Sequence, residues 1–149
     1  MRIKLRLPPR VKVLEALSAI SDGRIKELSD KEYEVTSSDG TRRYNVYVDL
    51  EKKEVFSTDN GTFYRNYVGY PIIAILMTKG ALPFNPKLAS ALKGINWRRI
   101  NELFKNYAKV ESYIKSLLKR RGIEPEEIDY FISIVMNKLR ELNLTKTPR

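Results

Sequence analysis

The residues best suited to chemistry in this chain are lysines and arginines that are grouped on particular segments. The formal net charge is +10, although residues 11–92 contain equal numbers of basic and acidic residues. The excess positive charge lies in residues 1–10, in residues 93–121 and in residues 138–149. Cationic side chains grouped in this way are typical of a surface that contacts phosphate groups. The sequence therefore indicates a class of partner more strongly than it indicates a reaction.

The densest cationic segment, residues 97–121, predicts one amphipathic helix that could bend near residues 106–108. At 100° per residue, a stripe of apolar side chains that begins with Trp97 gathers on one side, where it would anchor the helix to a core. The candidate phosphate-binding residues gather on the opposite side and are Arg98, Lys105, Lys109, Lys119 and Arg120. Tyr113 lies among them and could stack on an exposed base.

Two interpretations of this cationic face stay open. The first is contact with phosphates. It is favoured by the like-charged pairs Lys105/Lys109 and Lys115/Lys119, because like charges four residues apart destabilise a helix unless an anion lies near. The second is an ordinary solvated helix face on a protein that is rich in lysine.

The N-terminal segment is a second candidate for phosphate contact. Arg2, Lys4 and Arg6 alternate with apolar residues, which predicts a half-buried strand with a basic outer face. Such a strand either contacts phosphates or protects the edge of a sheet from pairing with another chain. The pair Arg42-Arg43 is expected in a solvated turn, from which it could also assist a binding surface.

Catalytic signatures are missing from the sequence. Cys and His are absent, which excludes disulfides, thiolate chemistry and the commonest general base and metal ligand. No glycine-rich phosphate loop and no metal-ligand spacing occurs, and the acidic residues within 124–129 are typical of the start of a helix. We therefore expect a protein that is not an enzyme and that uses no metal and no cofactor.

The composition also bears on where the protein works. No apolar run reaches the roughly 18 residues of a membrane span, and no secretory signal is present, so we expect a cytoplasmic protein that does not enter a membrane. Lys, Glu and Ile are abundant, whereas thermolabile residues are scarce. This profile is typical of a hyperthermophile and favours an archaeal source.

Alternating apolar residues and turn residues predict where the elements lie. Strands are expected at 2–7, 31–37, 42–50 and 54–58, and a helix at 11–20. Ser38-Asp39-Gly40 and Asp59-Asn60-Gly61 predict tight turns. The rest of the chain predicts frayed residues after Leu142 and helices at 71–79, 87–93, 96–121 and 125–142.

These elements predict an α+β fold. Its parts are a short antiparallel β-meander, an N-terminal helix and a C-terminal helical half. Residues 1–80 form the β-containing half with a buried helix, and residues 81–149 form a helical extension. We expect the two parts to make one compact domain together.

The order of parts in residues 12–80 carries a resemblance. A short helix is followed by YEVTSSDGTRRYNVYVDLEKKEVFSTD and then by GYPIIAILMTKG. This order resembles a SWIM-type zinc finger, in which a Cys-x-Cys pair ends the second strand and a Cys-x-His pair opens an apolar helix. Residues 55–59 and residues 69–71 stand at those two places, and neither segment contains a Cys or His zinc ligand.

The resemblance implies a metal-free derivative that keeps the hairpin and helix of the family. Modules of this family bind DNA or proteins and do not catalyse reactions. In this chain, aromatic residues would fill the space that the metal site organises in the family. These residues are Phe56, Phe63, Tyr64, Tyr67 and Tyr70.

The leading hypothesis is a small basic protein that binds nucleic acid, DNA rather than RNA, through the phosphate backbone without catalysis. The alternative is an adaptor, a protein-interaction subunit of a replication, repair or transcription complex. Exposure of the aromatic residues within 63–70 would favour the adaptor. Burial of those rings beside an unobstructed basic face would favour nucleic acid.

Overall fold

A six-stranded sheet forms the centre of the structure, a computed structural model that describes residues 2–148. The spatial order of the strands is β1-β6-β5-β4-β3-β2. In chain order the strands are β1 (Ile3–Lys4), β2 (Ile25–Glu27), β3 (Glu32–Thr36), β4 (Arg43–Asp49), β5 (Glu54–Ser57) and β6 (Thr145–Lys146). Strands β2 to β5 form an antiparallel meander, whereas β6 lies parallel to β5 and antiparallel to β1.

Seven helices accompany the sheet within the described residues. They are α1 (Val11–Ser21), α2 (Asn60–Phe63), α3 (Tyr70–Thr78), α4 (Pro86–Ala91), α5 (Trp97–Phe104), α6 (Tyr107–Arg120) and α7 (Pro125–Leu142). None of them is both long and apolar enough to cross a bilayer. The structure confirms the predicted α+β fold, with its meander, its N-terminal helix and its C-terminal helical half.

Helices α1 and α3 form the core against the sheet. Helix α3 is apolar on every side, and residues 71–77 are all buried because the helix packs between α1 and strands β4 and β5. The side of α1 away from the sheet packs on α4, α6 and α7. Helix α1 therefore joins the β-containing part of the chain to the helical part, and charged residues on its first turns lie among packed elements.

The alternation that predicted the strands is present in the sheet. Val46 and Val48 of β4 are buried, the alternating residues Asn45 and Tyr47 are exposed and partly buried respectively, and Tyr33 and Val35 of β3 are buried on the same side as the valines. Strand β2 is an element that the sequence prediction missed, because three residues give too little alternation to recognise.

The C-terminal tail is not frayed, and that prediction was wrong. Residues 145–146 form β6, which inserts between β1 and β5, and Leu144 is only 2% exposed. A two-residue strand has no periodicity of its own, so its partners decide its conformation. Arg149, the last cation of the predicted basic tail, lies outside the described residues.

The predicted single helix at residues 96–121 was also wrong. Lys105 has a left-handed backbone with φ of 51°, which ends α5, and the Asn106 side chain accepts a hydrogen bond from the Lys109 backbone N–H to begin α6. An Asn that caps a helix competes with continuation of the preceding one. Leu103 belongs to the apolar stripe that was predicted to be buried, and in the structure it is 72% exposed.

The predicted turn at Asp59-Asn60-Gly61 is instead the start of α2. The Asp59 side chain accepts a hydrogen bond from the Thr62 backbone N–H at 3.1 Å, which is the geometry of a helix N-cap. The predicted turn at Ser38-Asp39-Gly40 is present, with Gly40 at φ of 77°. These two segments lie on either side of the cleft described next.

Candidate functional site

A polar cleft of about 790 Å³ opens beside the first turns of α1. Its lining residues lie within four segments, which are residues 12–15, 37–44, 59–70 and 97–107. These segments are the start of α1, the β3–β4 hairpin, α2 with the loop to α3, and the α5–α6 junction. Distant parts of the chain therefore build one concave surface, of a volume usual for small-molecule sites.

A buried ion pair lies in the cleft wall. Lys12 Nζ lies 2.6 Å from Glu15 Oε2, and the two side chains are only 13% and 4% exposed. The Asn101 side chain donates to Glu15 Oε1 at 3.1 Å, which links α1 to α5. Burial opposes the charge on Lys12, yet the carboxylate of Glu15 outweighs it and the pKa of Lys12 is raised above its usual 10.5.

Tyrosines form much of the remaining wall. The hydroxyl oxygens of Tyr67 and Tyr107 lie 3.2 Å apart, and burial together with this hydrogen bond raises the pKa of Tyr67 far above its ordinary range. Tyr44 and Tyr70 pack edge to face with ring centroids 6.2 Å apart, and burial raises the pKa of each. The phenols are therefore neutral at physiological pH and present aromatic surface and hydrogen-bonding hydroxyls.

Asp59 is held at the cleft by close packing. Its Oδ2 caps α2, and a Cβ added at Gly69 would lie 2.0 Å from that oxygen and 2.6 Å from Thr62 Oγ1. The Thr62 hydroxyl in turn accepts from the Gly69 backbone N–H at 3.0 Å. Asp59 Oδ1 has no hydrogen-bonding partner among residues 2–148, although Asp59 is only 5% exposed.

Trp97 is the second buried cleft residue with an unpaired polar atom. The residue is 3% exposed, as expected of a core anchor, and its backbone N–H donates to Ser38 Oγ at 2.9 Å. The indole Nε1–H finds no acceptor in the described part of the chain. The cleft lining thus contains one buried acceptor and one buried donor without protein partners.

Cations reach the cleft from three of its segments. Arg42, Arg65 and Lys105 line it and make no ion pair with any residue of the described range. Arg98 also lines it, but its guanidinium lies 3.2 Å from both Asp39 Oδ2 and Glu102 Oε1. Three exposed cations are therefore available at the cleft, whereas Arg98 is largely neutralised.

Two helix N-termini also face this region. Helix α5 begins at Trp97 and α6 at Tyr107, both of which line the cleft, and neither helix has an acidic residue in its first turn. The N-terminal end of a helix carries partial positive charge, which adds to that of Arg42 and Arg65 in the cleft, whereas Lys105 lies at the C-terminal cap of α5 and balances the partial negative charge there. The arrangement favours an anion in the cleft.

The predicted binding residues of the basic segment do not form one surface. Arg98 and Lys105 line the cleft, and Lys109 lies in the first turn of α6 next to it. Lys119 and Arg120 are exposed in the last turn of α6, at the other end of a helix about 20 Å long. The prediction of one continuous helix is therefore wrong: the break at Lys105 leaves Arg98 on α5, and the length of α6 separates Lys109 from Lys119 and Arg120.

The predicted stacking residue, Tyr113, is only partly available. It is 40% exposed, and its ring packs against Phe104 with centroids 5.3 Å apart. This contact lies across the α5–α6 junction and stabilises the break. One face of the Tyr113 ring is therefore used in packing.

The N-terminal candidates are divided in the same way. Arg2, Lys4 and Arg6 are all exposed at the sheet edge, as predicted. Arg2 forms an ion pair with Glu54 at 2.9 Å, and the Arg6 guanidinium donates to the backbone carbonyl of Arg65. Arg6 is thus brought next to the cleft through Arg65, whereas the charge of Arg2 is balanced by an acid.

The like-charge argument from the sequence also fails for Lys115. Lys115 Nζ lies 3.1 Å from Glu111 Oε2 and 2.5 Å from Asp129 Oδ1, and Arg10 contacts the same two acids. This network ties the residue before α1 to α6 and α7. It explains the presence of Asp129, which the sequence assigned only to the start of a helix.

The network gives a testable dependence on pH. The hydrogen bond from Lys115 holds the pKa of Asp129 below its usual 3.8, although partial burial opposes the shift. A carboxyl whose pKa is lowered on folding stabilises the protein above its unfolded pKa and loses that contribution as the pH falls through the folded value. We expect the midpoint of thermal unfolding to drop as the pH is lowered through and below 3.8, and Asp129→Asn to reduce that drop. An unchanged drop in the variant would contradict this role.

Several cleft residues were not predicted as site residues. Lys12 and Glu15 were missed, although a charged pair within an otherwise apolar helix was a usable signal. Asp59 was predicted only within a tight turn, whereas the structure places it in the cleft wall. Arg42, which was considered as an assistant to a binding surface, lines the cleft.

The predicted aromatic cluster is partly buried. Phe56 and Tyr67 are buried, whereas Phe63 and Tyr64 are 42% and 73% exposed. Phe63 packs edge to face on both Phe56 and Tyr64. The aromatic cluster is therefore neither fully exposed, which would favour an adaptor, nor fully buried, which would favour nucleic acid.

The fold and the cleft define a small α+β protein with a cation-lined polar cleft. Residues 5–145 match the family described as uncharacterised conserved protein UCP014422, and the chain belongs to that family. No curated protein and no solved structure matches the chain. Its function must therefore be inferred from the chemistry of the cleft.

Proposed function

We propose that this protein binds nucleic acid, without catalysis, through phosphate contacts centred on the cleft. The observation that carries the proposal is the convergence there of three cations without ion pairs, Arg42, Arg65 and Lys105, with the N-termini of α5 and α6. Unpaired cations that share one concave surface repel each other. A phosphate relieves that repulsion and accepts hydrogen bonds from the same groups.

The cations outside the cleft extend the proposed contact. Lys109 follows Lys105 at the start of α6, and Lys119 and Arg120 continue the exposed side of that helix. A single strand of several nucleotides is long enough to reach from the cleft along α6, a helix about 20 Å long. Arg6 adds positive charge on the side of Arg65.

The resemblance to SWIM modules favours DNA over RNA as the partner. A phosphate-based contact also fits a chain of net charge +10. The protein is proposed to act in the cytoplasm.

The proposal is tested by a titration of affinity against salt. Binding of labelled single-stranded and duplex DNA, followed by fluorescence anisotropy, is expected to weaken linearly in log affinity against log salt. The slope should be about 0.7 per contacted phosphate on single strands and about 0.9 on duplex. A flat response to salt would overturn the proposal.

A charge-reversal pair tests the place of contact. Lys105→Glu with Lys109→Glu is expected to lower affinity at least about 100-fold at low salt and to reduce the salt slope by about two phosphate contacts. The matched control is Lys26→Glu with Lys138→Glu, two exposed lysines that do not line the cleft. Both variants have the same net charge. Equal losses of affinity for nucleic acid would therefore show that only the total charge matters and would contradict a cleft-centred site.

A second candidate function is the adaptor subunit of a replication, repair or transcription complex. The exposure of Tyr64, at 73%, beside the half-exposed Phe63 is the observation that favours it. Replacing both residues with serine separates the two functions. Nucleic-acid affinity should be unchanged if these rings serve only a protein partner.

A further inference from the structure

The strongest unexplained feature of the molecule is the pair of buried polar atoms in the cleft lining. Asp59 Oδ1 is an acceptor and Trp97 Nε1 is a donor, and neither has a partner within residues 2–148. Both residues are more than nine-tenths buried, so a ligand in the cleft reaches the two atoms only by displacing neighbouring side chains of the lining. Leaving a buried polar atom unpaired costs about 1–3 kcal/mol, and native proteins seldom do so without a reason.

The packing around Asp59 shows that its position is built, not incidental. Oδ2 is fixed by the cap of α2, and Gly69 leaves no room for a Cβ against it. The carboxylate is therefore held in one orientation with Oδ1 as its remaining acceptor. The backbone of Trp97 is fixed in the same way by Ser38.

The rest of the lining has the chemistry that a nucleotide requires. The partly exposed rings of Tyr44 and Tyr70 offer aromatic surface for a planar base. Arg42, Arg65 and Lys105 offer cations for a phosphate. A volume of about 790 Å³ exceeds what a single nucleotide needs and lies within the usual range of ligand pockets.

We propose that the cleft binds one unpaired nucleotide unit, whose base donates an N–H to Asp59 Oδ1 and accepts a hydrogen bond from Trp97 Nε1 while its phosphate contacts the cleft cations. Every nucleobase carries a donor and an acceptor on its pairing edge, and in a duplex that edge is occupied. The cleft therefore selects a single-stranded or terminal nucleotide over a closed duplex. This inference rests on the proposed function and specifies the form of nucleic acid that is bound.

Trp97 supplies the readout, because it is the only tryptophan in the chain. A base that meets its indole N–H changes the tryptophan emission, whereas contact with phosphates along α6 does not. Three ligands of known chemistry are compared: a 5′-mononucleotide, a single-stranded oligonucleotide and a blunt duplex of the same length. Anisotropy of labelled strands reports binding in parallel.

We expect the single strand to shift the Trp97 emission with the same midpoint as the anisotropy, and the mononucleotide to compete for that shift at higher concentration. The duplex should bind by anisotropy without the shift. If single strands bind and the emission does not change, the nucleotide site is overturned while the proposed function stands. If only the mononucleotide binds, the cleft takes a free nucleotide, and the proposed function fails instead.

Conservative variants test the two buried atoms. Asp59→Asn keeps a side chain that can cap α2 but can turn the free oxygen into an N–H donor, and Trp97→Phe removes the indole N–H. Each is expected to weaken single-strand binding about ten-fold and to leave duplex binding unchanged. The matched control is Asp49→Asn, a buried aspartate outside the cleft that should change neither affinity. Equal losses for single strand and duplex, with unchanged thermal midpoints, would overturn the assignment.

Discussion

Glu15→Gln is expected to lower the free energy of unfolding by about 3–5 kcal/mol, since it leaves the ammonium of Lys12 buried without its counter-ion. The pair lies 2.6 Å apart with little exposure of either side chain, so water cannot replace the lost carboxylate. The loss is measured by urea unfolding at neutral pH. Glu102→Gln removes the acid of an exposed ion pair with Arg98 and is expected to change stability much less.

The pH dependence of the Glu15→Gln variant distinguishes this cause from lost packing. In the native chain the pKa of Lys12 is raised, so its contribution to stability is present below 10.5 and is lost as the pH rises through the folded value. In the variant, burial dominates and the charge of Asp59 only partly offsets it, so the folded pKa of Lys12 is expected to fall below 10.5. The difference in free energy of unfolding between the native chain and the variant should then become smaller as the pH rises towards 10.5.

The double variant Lys12→Met with Glu15→Gln completes the test. It removes the buried charge together with its partner, so it is expected to be more stable than Glu15→Gln alone. A double variant as unstable as the single one would show that the loss comes from the Asn101 hydrogen bond or from packing. The buried charge of Lys12 would then not be the cause of the lost stability.

Gly69→Ala is the second change with a large expected effect. The new Cβ would lie 2.0 Å from Asp59 Oδ2 and 2.6 Å from Thr62 Oγ1, and both neighbours are held by the cap of α2. Gly69 has φ of −69°, which alanine adopts freely, so the cost is steric and not conformational. We expect a loss of about 3 kcal/mol from overpacking together with the lost cap, measured as a lower urea midpoint.

Gly23→Ala is the matched control for Gly69→Ala. Gly23 has φ of 68°, and nothing lies within 4 Å of the position of its Cβ. Alanine there is expected to cost only the roughly 1–2 kcal/mol of a left-handed backbone. If the Gly69 variant were no less stable than the Gly23 variant, the close packing around Asp59 would not be rigid.

The sequence predicted the fold well wherever side chains repeat with a regular period. Strands β3, β4 and β5 and helices α3 and α7 were placed within one or two residues, because alternation or an apolar stripe runs through each of them. A bend near residues 106–108 was predicted, but the complete break at Lys105 was not, since it depends on a cap from Asn106 that competes with a continuous apolar pattern. Strand β6 was missed because only its neighbours define it.

The candidate site could be predicted only in part for the same reason. The cationic residues Lys105 and Arg98 were recognised from local charge, and both reach the cleft. Asp59 could not be recognised, because its role depends on Gly69 and on residues from three other segments. Local patterns show which side chains carry charge, whereas long-range packing decides which of them meet.

The insertion of β6 between β1 and β5 affects the order in which a newly translated chain can fold. The meander can pair as soon as it leaves the ribosome, but β1 finds its partner strand only after residue 146 has emerged, on the order of ten seconds later at usual rates of synthesis. Until then the outer edge of β5 is open to any other extended chain. The nascent protein therefore depends on residues 145–146 to cover an unpaired strand edge, and a chain whose synthesis stops before them is prone to aggregate.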